Sequence, residues 1–475
     1  MPRLHELILQ AAARHPERTA LRTPAGARLG YAALADGIAR VGAELRSRDV
    51  AGGRVGLLAP NLAAFPAAFY GALSAGASVV LLNPLYVPRE LAEYLQKAEA
   101  DTVLTTAALA PLLPAGVHAL DVERLAAPPA SGAGMATAAT AEPPLAATPD
   151  DAEAVVIFTH AVDGWARGAR LSHRNLVANL RSTVAAMRLA PDDRMLAVLP
   201  FVHSFGLTVT LNAPLSVGAA VLPVERFHPL RVLETIEAGG ATVLCGVPGV
   251  YLGLLAAAAR RGVPRHRVRL AICGGAPLPP ELAERWEKVF GVPLREGYGL
   301  TEGSPVCAFN HVERPNRPGT LGEPFPGVEI SIRDGAGRRL PAGAVGEICV
   351  RGENVFLGYV GEHDPPELRG GFLHTGDLGS CEPDGRLRFR GMLKPLFTRN
   401  GFNVYPPEIA RVLQADARIA GVRVCGLPDA AKENELVLFV RPAPGAVLSE
   451  ADVHALCRTG LAAYKRPEKV VIEAE

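Results

Sequence analysis

The sequence predicts an α/β fold with a large N-terminal domain and a small C-terminal one. Two uncharged stretches, 62–82 and 199–224, are interrupted by Pro, Gly, Ser or Asn, so each predicts a buried helix and a buried strand rather than a membrane span. Hydrophobic residues make up 49% of the chain, and 49 glycines and 41 prolines supply the turns between elements. A chain of 475 residues is too long for one ordinary core.

Short apolar strands alternate with helices as far as residue 290. Apolar spacing predicts a first helix within residues 1–14, which lack the unbroken apolar core of a signal peptide. The strands that follow are predicted at 77–82, 195–200, 219–223, 242–247 and 269–273, and the helices at 229–238 and 280–290. Strands that are apolar on both faces and alternate with helices favour parallel sheets, so we expect stacked α/β subdomains.

The pattern changes near residue 328. Strands at 330–333, 347–351 and 386–390 are joined by glycine-containing turns, which favours a small antiparallel β region that completes a large domain over 1–390. Beyond a boundary at 391–395, residues 396–475 predict a small α+β lid domain. Its helices are expected at 407–414 and 450–458 and its strands at 422–426 and 436–440. Residues 128–149 are rich in Ala, Pro, Gly and Thr, which indicates a surface spacer.

Charge and cysteine content limit the partners and the compartment. The chain carries 49 Lys and Arg against 48 Asp and Glu, so no global field would attract nucleic acid. Its 7 cysteines are scattered without C-x-x-C spacing, which is typical of a reducing cytoplasm. We therefore expect a cytoplasmic protein with no transmembrane segment and no nucleic-acid partner.

Five segments carry the chemistry, at 158–172, 200–206, 274–278, 297–302 and 375–377. Together, and in this order, they resemble the adenylate-forming (AMP-binding) superfamily of acyl-CoA synthetases. Members of that superfamily join a carboxylic acid to AMP and then to a thiol. The resemblance extends from the N-terminal helix to Pro467, and it implies that the chain has a ligase ancestry.

The resemblance assigns a role to each residue of a nucleotide site. It places Tyr298 against adenine, Asp377 on the ribose hydroxyls, Thr301 at the α-phosphate and Glu302 on Mg²⁺. These types suit their tasks, because an aromatic face binds a base, a carboxylate accepts two hydroxyls and a hard cation prefers oxygen ligands. Residues with small side chains let the backbone approach the base closely. The predicted site therefore also includes Gly274, Gly275 and Ala276, which follow the predicted strand 269–273, and Gly299, which follows Tyr298.

The phosphate loop departs from the superfamily. Relatives carry Thr-Ser-Gly-Thr-Thr-Gly-x-Pro-Lys-Gly, whereas residues 159–168 keep Thr159 but lose three of four hydroxyl positions. Asp163 introduces a carboxylate, and Arg167 replaces the lysine. At 4 Å and an effective dielectric near 20, one pair of unit charges is worth about 4 kcal/mol, so Asp163 would oppose the attraction of Arg167 for phosphate. Weak adenylation is expected.

His203 lies between two phenylalanines, where the resemblance places a switch residue that lines the acyl pocket. A histidine in such an apolar segment is also common as a plain core residue. Residues 242–247 are a second candidate for that pocket.

The lid segment departs from its relatives in part. Lys394 fits the hinge position, but Met392 stands where relatives have an arginine. Relatives also continue to a Gly-Lys whose lysine contacts the reacting groups, and no such lysine follows before Glu475. Gly401 lies in segment 400–408, which matches the corresponding glycine segment of relatives. In relatives, this segment faces the active site during thioester formation.

Three functions stay open from the sequence. The first is an acid–thiol ligase with weak adenylation, which would use AMP or ATP, Mg²⁺, and CoA or the phosphopantetheine of an acyl carrier protein. The second is a catalytically degenerate protein that binds an acyl-adenylate or acyl thioester. The third is an acyltransferase that uses His160, Asp163 or His203.

Overall fold

The computed structural model describes residues 1–23, 26–127, 151–160, 164–362, 364–393, 396–399, 401–429 and 433–473, without the side chain of His160. The predicted spacer at 128–149 lies outside these residues, as do Asp163 and the predicted hinge residue Lys394. Among the described residues, no helix is long and apolar enough to cross a membrane.

Helices pack against the N-terminal sheets and against the C-terminal one. Their apolar residues recur at helical spacing, as in Pro280–Phe290, which buries Leu282, Ala283, Trp286 and Phe290. The α-helices are Leu4–Arg14, Tyr31–Arg46, Phe65–Ser74, Pro88–Lys97, Val122–Ala126, His173–Met187, Ala213–Ser216, Pro229–Gly239, Pro248–Arg261, Pro280–Phe290, Pro406–Gln414 and Glu450–Gly460. A π-helical segment, Gly206–Asn212, precedes Ala213–Ser216, and short 3₁₀ turns lie at Ala110–Leu112, Thr301–Gly303 and Ala463–Lys465.

The largest sheet has nine strands and provides the frame of the site. Its spatial order is Glu323–Pro324, Val306–Phe309, Leu294–Gly299, Leu270–Cys273, Val243–Gly246, Arg194–Ala197, Ala220–Pro223, Thr19–Arg22 and Arg28–Gly30. The central strands pair in parallel and the outer ones are antiparallel. The sequence-based prediction of buried parallel strands is therefore confirmed.

A second sheet of six strands lies in the same N-terminal part. Its order is His118–Asp121, Thr102–Thr105, Arg54–Leu58, Ser78–Leu82, Glu153–His160 and Ala166–Ser172. All neighbours pair in parallel except the last two, which form an antiparallel pair around the altered phosphate loop. Ser78–Leu82 is buried at every position, as its unbroken apolar run predicted.

The antiparallel region predicted after residue 328 is present. Phe372–Cys381 is flanked by Gly346–Gly352 on one side and by Leu387–Met392 on the other, and Val328–Arg333 continues the sheet beyond Gly346–Gly352. The short strand Leu368–Arg369 also pairs with Phe372–Cys381.

The C-terminal part has its own small core. A three-stranded sheet, Ile419–Asp429, Glu433–Pro442 and Lys469–Ile472, packs against the last two helices. Phe397–Arg399 and Phe402–Val404 form a separate two-stranded sheet. This is the predicted α+β arrangement, and a large α/β part followed by a small C-terminal part is the confirmed fold class. The boundary at 391–395 stays a prediction.

A buried ion triad joins the C-terminal part to the N-terminal part. The Nζ of Lys465 lies 2.7 Å from Glu90 Oε1 and 2.6 Å from Glu408 Oε1, and the three side chains are 0–1% exposed. Glu90 belongs to the helix Pro88–Lys97, whose Glu93 and Arg89 also contact Arg411 and the carbonyl of Gly460. Ionised groups removed from water are stable only when they are paired, so this contact fixes how the two parts meet.

We predict that Lys465→Met destabilises the protein by about 3–5 kcal/mol, because it leaves two buried carboxylates without their cation. The free energy of unfolding in urea measures the effect. Lys469→Met, at an exposed position of the same region, is the matched control and should change it by less than about 0.5 kcal/mol. Equal effects of the two substitutions would contradict the importance of the triad.

Candidate functional site

The candidate site is a cleft at the carboxyl ends of the parallel strands, the edge where α/β sheets bind ligands. Its cavity has a volume of about 240 Å³. The lining comes from the loop after Leu270–Cys273, from Leu294–Gly299 and the turn Thr301–Gly303, and from Phe372–Cys381. Gly401, Asn403 and Tyr405 of the C-terminal part complete it. The lining extends from Thr159 to Tyr405, so the structure brings together segments separated by more than 200 residues in the sequence.

The residues predicted to bind the nucleoside lie together. The hydroxyl of Tyr298 donates a hydrogen bond of 2.7 Å to Asp377 Oδ2, and both side chains line the cleft beside Gly274, Gly275 and Ala276. Gly275 has φ +79°, a backbone conformation that favours glycine. Burial raises the pKa of Tyr298 well above its usual range, so the phenol remains a donor at neutral pH.

Two strands hold Asp377 in place. The Gly376 N–H donates to Glu347 Oε1 at 3.0 Å, and the Asp377 N–H donates to Thr375 Oγ1 at 3.1 Å. Glu347 lies on the neighbouring strand, so the part of Phe372–Cys381 that presents Asp377 is tied to Gly346–Gly352. The ribose contact assigned to Asp377 stays a prediction.

Side-chain hydroxyl groups lie close to the carboxylate of Glu302, which lines the same cleft. Tyr359 donates to Glu302 Oε1 at 2.8 Å, and Thr159 donates to the same oxygen at 3.3 Å. The hydroxyl of Thr301 lies 3.4 Å from that of Ser204. Carboxylate and hydroxyl oxygens are ligands that fit a hard divalent cation, so the donor set suits the Mg²⁺ predicted for Glu302.

Glu302, Tyr359 and Thr159 form one corner of the cleft, and Arg167 lies beside it. Its guanidinium already has partners. Its guanidinium stacks 3.6 Å from the centre of the Tyr359 ring, and it donates to Glu362 Oε1 at 2.8 Å and to Glu367 Oε1 at 2.7 Å. The cation that the sequence assigns to phosphate is thus paired with two carboxylates.

His203 lines the cleft, and Asn61 shapes the segment that presents it. The Asn61 amide donates to the carbonyls of Ala197 and Leu199 and accepts from the Phe201 N–H at 2.8 Å. The strand therefore ends at Ala197 instead of continuing to residue 200 as predicted. Burial lowers the pKa of His203 to about 4, so its ring is neutral at pH 7.

Part of the cleft lining is apolar. Besides His203, the lining includes Met187, Val209, Ile272, Phe309 and Phe325. Cys245 and its neighbours on Val243–Gly246 are buried in the sheet, and among the predicted acyl-pocket residues 242–247, Val247 lies next to Gly401. An apolar lining of this kind favours an apolar group of a ligand.

Sequence analysis missed Glu296. Its carboxylate accepts the Leu278 N–H at 3.0 Å, it is 5% exposed, and it lines the cleft. Burial raises the pKa of this carboxyl to about 7. The signal was present in the strand Leu294–Gly299, because period-2 alternation places Glu296 on the same buried face as Tyr298.

Parallel sheets, a cleft at their carboxyl ends and a C-terminal part that reaches into it define an α/β protein of the adenylate-forming class. The profile of the AMP-binding enzyme family matches residues 8–360, and the chain belongs to this family. It is of the acyl-CoA synthetase type.

Individual relatives agree with this placement. The chain is 29% identical to a long-chain-fatty-acid–CoA ligase of Bacillus subtilis, over 98% of this chain and 90% of that protein. A double mutant of o-succinylbenzoate CoA synthetase from Bacillus subtilis, bound with its product analogue, matches with a TM-score of 0.86 at 25% identity, covering 99% of this chain and 94% of that one. ATP-bound MatB from Rhodopseudomonas palustris matches with a TM-score of 0.73 at 29% identity, covering 99% and 95%.

We predict a pH-dependent effect of Glu296→Gln. The folded protein holds the Glu296 proton more tightly than the unfolded chain, so the stabilisation from this proton is complete in acid and is lost as the pH rises toward 7. The stability of Glu296→Gln relative to wild type should therefore be greater at pH 8 than at pH 5, by about 2–3 kcal/mol.

Urea unfolding at the two pH values measures this difference. Glu287→Gln, at an exposed position of the nearby helix, is the control and should give the same value at both. A pH-independent effect of Glu296→Gln would show that its carboxyl is ionised throughout.

Proposed function

We propose that this protein is an acid–thiol ligase whose cleft is arranged for the second half-reaction, the transfer of an acyl group from an acyl-adenylate to a thiol, and that it activates acids from ATP only weakly. One observation carries the proposal. Gly401, Asn403 and Tyr405, from the segment linked by resemblance to thioester formation, line the same cleft as Tyr298, Thr301 and Asp377.

The structural comparisons support this orientation. The synthetase bound with its product analogue has a higher TM-score than ATP-bound MatB, 0.86 against 0.73, although its sequence identity is lower. The difference favours a product-like placement of the C-terminal part. We infer that residues 1–390 and 396–475 are separate domains whose relative orientation selects the half-reaction.

We assign the residues as follows. Tyr298, Gly274, Gly275, Ala276 and Gly299 hold the base, and Asp377 holds the ribose. Thr301 and Thr159 face the α-phosphate, and Glu302 binds Mg²⁺, which neutralises phosphate charge when bound. Gly401 borders the thiol side, His203 borders the acyl group, and Lys394 is the hinge.

The proposed reaction forms one bond and breaks one bond. The sulfur of the thiol attacks the acyl carbonyl carbon, the bond from that carbon to the phosphate oxygen breaks, and AMP leaves while the thiol proton passes to solvent. The apolar residues in the cleft lining favour a fatty or aryl acid, and the thiol is CoA or a carrier-protein phosphopantetheine.

The second candidate is a protein that holds an acyl-adenylate or acyl thioester without making it. The pairing of Arg167 with Glu362 and Glu367 favours it, because a committed arginine is a poor phosphate ligand. For the acyltransferase alternative, Asp163 and the side chain of His160 lie outside the described residues.

We predict that purified protein forms thioester from a synthetic acyl-adenylate and CoA at least about 100-fold faster than from the free acid, Mg-ATP and CoA, since a lost electrostatic donor costs about 10²–10³ in rate. Chromatography of acyl-CoA against time measures both rates. Equal rates would contradict weak adenylation, and no thioester by either route would favour the binding protein.

A second prediction concerns Gly401→Ala. A Cβ at this position would lie 2.6 Å from Val247 Cγ1, so the substitution should push the thiol-side segment out of the cleft. We expect thioester formation from the acyl-adenylate to fall at least about tenfold, while AMP binding stays within about twofold.

Gly445→Ala is the matched control. Gly401 and Gly445 have φ values of +77° and +74°, but a Cβ at Gly445 would meet no atom within 4 Å. The control therefore carries the same backbone strain without the clash. Equal losses in the two variants would assign the effect to strain and not to the cleft.

A further inference from the structure

We propose that Glu362 and Glu367 are nucleotide-specificity determinants that favour a nucleoside monophosphate over a triphosphate, because they occupy the guanidinium of Arg167. This inference rests on the proposed nucleotide site and deepens it.

Glu362, Glu367 and Tyr359 surround the guanidinium of Arg167, and we call these four residues the clamp. Arg167 Nε and Nη1 each donate to a different carboxylate, at 2.8 Å to Glu362 and 2.7 Å to Glu367, and Nη2 contacts both. The Arg167 side chain is 14% exposed and its flat face rests on Tyr359. Both edges and one face of the guanidinium are thus in use, which leaves little of it for a further anion.

Backbone hydrogen bonds join the segment that carries Tyr359 and Glu362 to the strand that carries Arg167. The Val360 N–H donates to the carbonyl of Gly168 at 2.8 Å, and the Arg170 N–H donates to the carbonyl of Gly358 at 2.9 Å. The segment with Tyr359 therefore runs beside the strand Ala166–Ser172 that carries Arg167. This pairing brings Glu362 next to the guanidinium, although the two residues are 195 positions apart.

The charge balance at this corner is negative. Among the described residues, two carboxylates contact the guanidinium, and a third, that of Glu302, accepts a hydrogen bond from the Tyr359 hydroxyl. A monophosphate that ends at Thr301 does not need the corner. The β- and γ-phosphates of a triphosphate would enter it and meet carboxylates instead of a free cation, which opposes their binding.

The test is isothermal titration with AMP and with ATP, each in Mg²⁺, without acid or thiol. Wild type should bind AMP more tightly than ATP. In the double variant Glu362→Gln and Glu367→Gln, ATP affinity should rise at least about tenfold while AMP affinity stays within about twofold, because a charge-assisted contact to phosphate becomes available.

Two controls isolate the cause. Arg167→Ala in the double-variant background should abolish the gain in ATP affinity. Glu329→Gln removes a carboxylate from an exposed ion pair with Arg351 and should leave both affinities unchanged. If the double variant does not fold, Glu362→Gln alone, at the more exposed of the two carboxylates, should still improve ATP binding about threefold.

Each outcome has a distinct meaning. AMP binding with an ATP affinity that does not respond to the variants, or a gain that survives Arg167→Ala, overturns the clamp but leaves the proposed function intact. Failure of wild type to bind AMP overturns both.

Discussion

The contact on which the rest of the site depends is the ammonium of Lys465 between the carboxylates of Glu90 and Glu408. It is shielded from water, so separating the three groups without new partners is costly. Because it ties the 3₁₀ turn at Ala463–Lys465 and the helix Pro406–Gln414 to the helix Pro88–Lys97, it sets the orientation in which Gly401 and Tyr405 reach the cleft. A binding surface that neither part of the chain has alone is formed in this way.

The lining of the cleft combines different kinds of chemistry. Tyr298 and Asp377 provide an aromatic face and a hydrogen-bond acceptor, and Met187, Phe309 and Phe325 provide apolar surface. Arg167, which also lines the cleft, is neutralised by two carboxylates. The acyl-adenylate proposed as the ligand has a base, a sugar, one phosphate and an apolar tail, and the lining offers groups suited to each.

Local patterns predicted the fold well and the site in part. Unbroken apolar runs predicted Ser78–Leu82 and Leu270–Cys273, and helical spacing predicted Pro280–Phe290 to the residue. Motifs predicted which residues would line the cleft. The sequence could not show that Arg167 is held by Glu362 and Glu367, or that Lys465 meets Glu90, because such pairs depend on how distant segments pack. The end of the strand Arg194–Ala197 was predicted wrongly for the same reason, because the side-chain amide of the distant residue Asn61 donates hydrogen bonds to the carbonyls of Ala197 and Leu199.

The Tyr359 side chain has a consequence of its own. Its ring supports the guanidinium of Arg167 while its hydroxyl donates to Glu302 Oε1. A cation bound at this oxygen would compete with that hydrogen bond, and a shift of the tyrosine would alter the surface on which the arginine rests. By thermodynamic reciprocity, any anion that draws Arg167 off this ring changes cation affinity by the same factor with which the cation changes the affinity for that anion. A single phenol would thereby couple the proposed metal site to the proposed polyphosphate site.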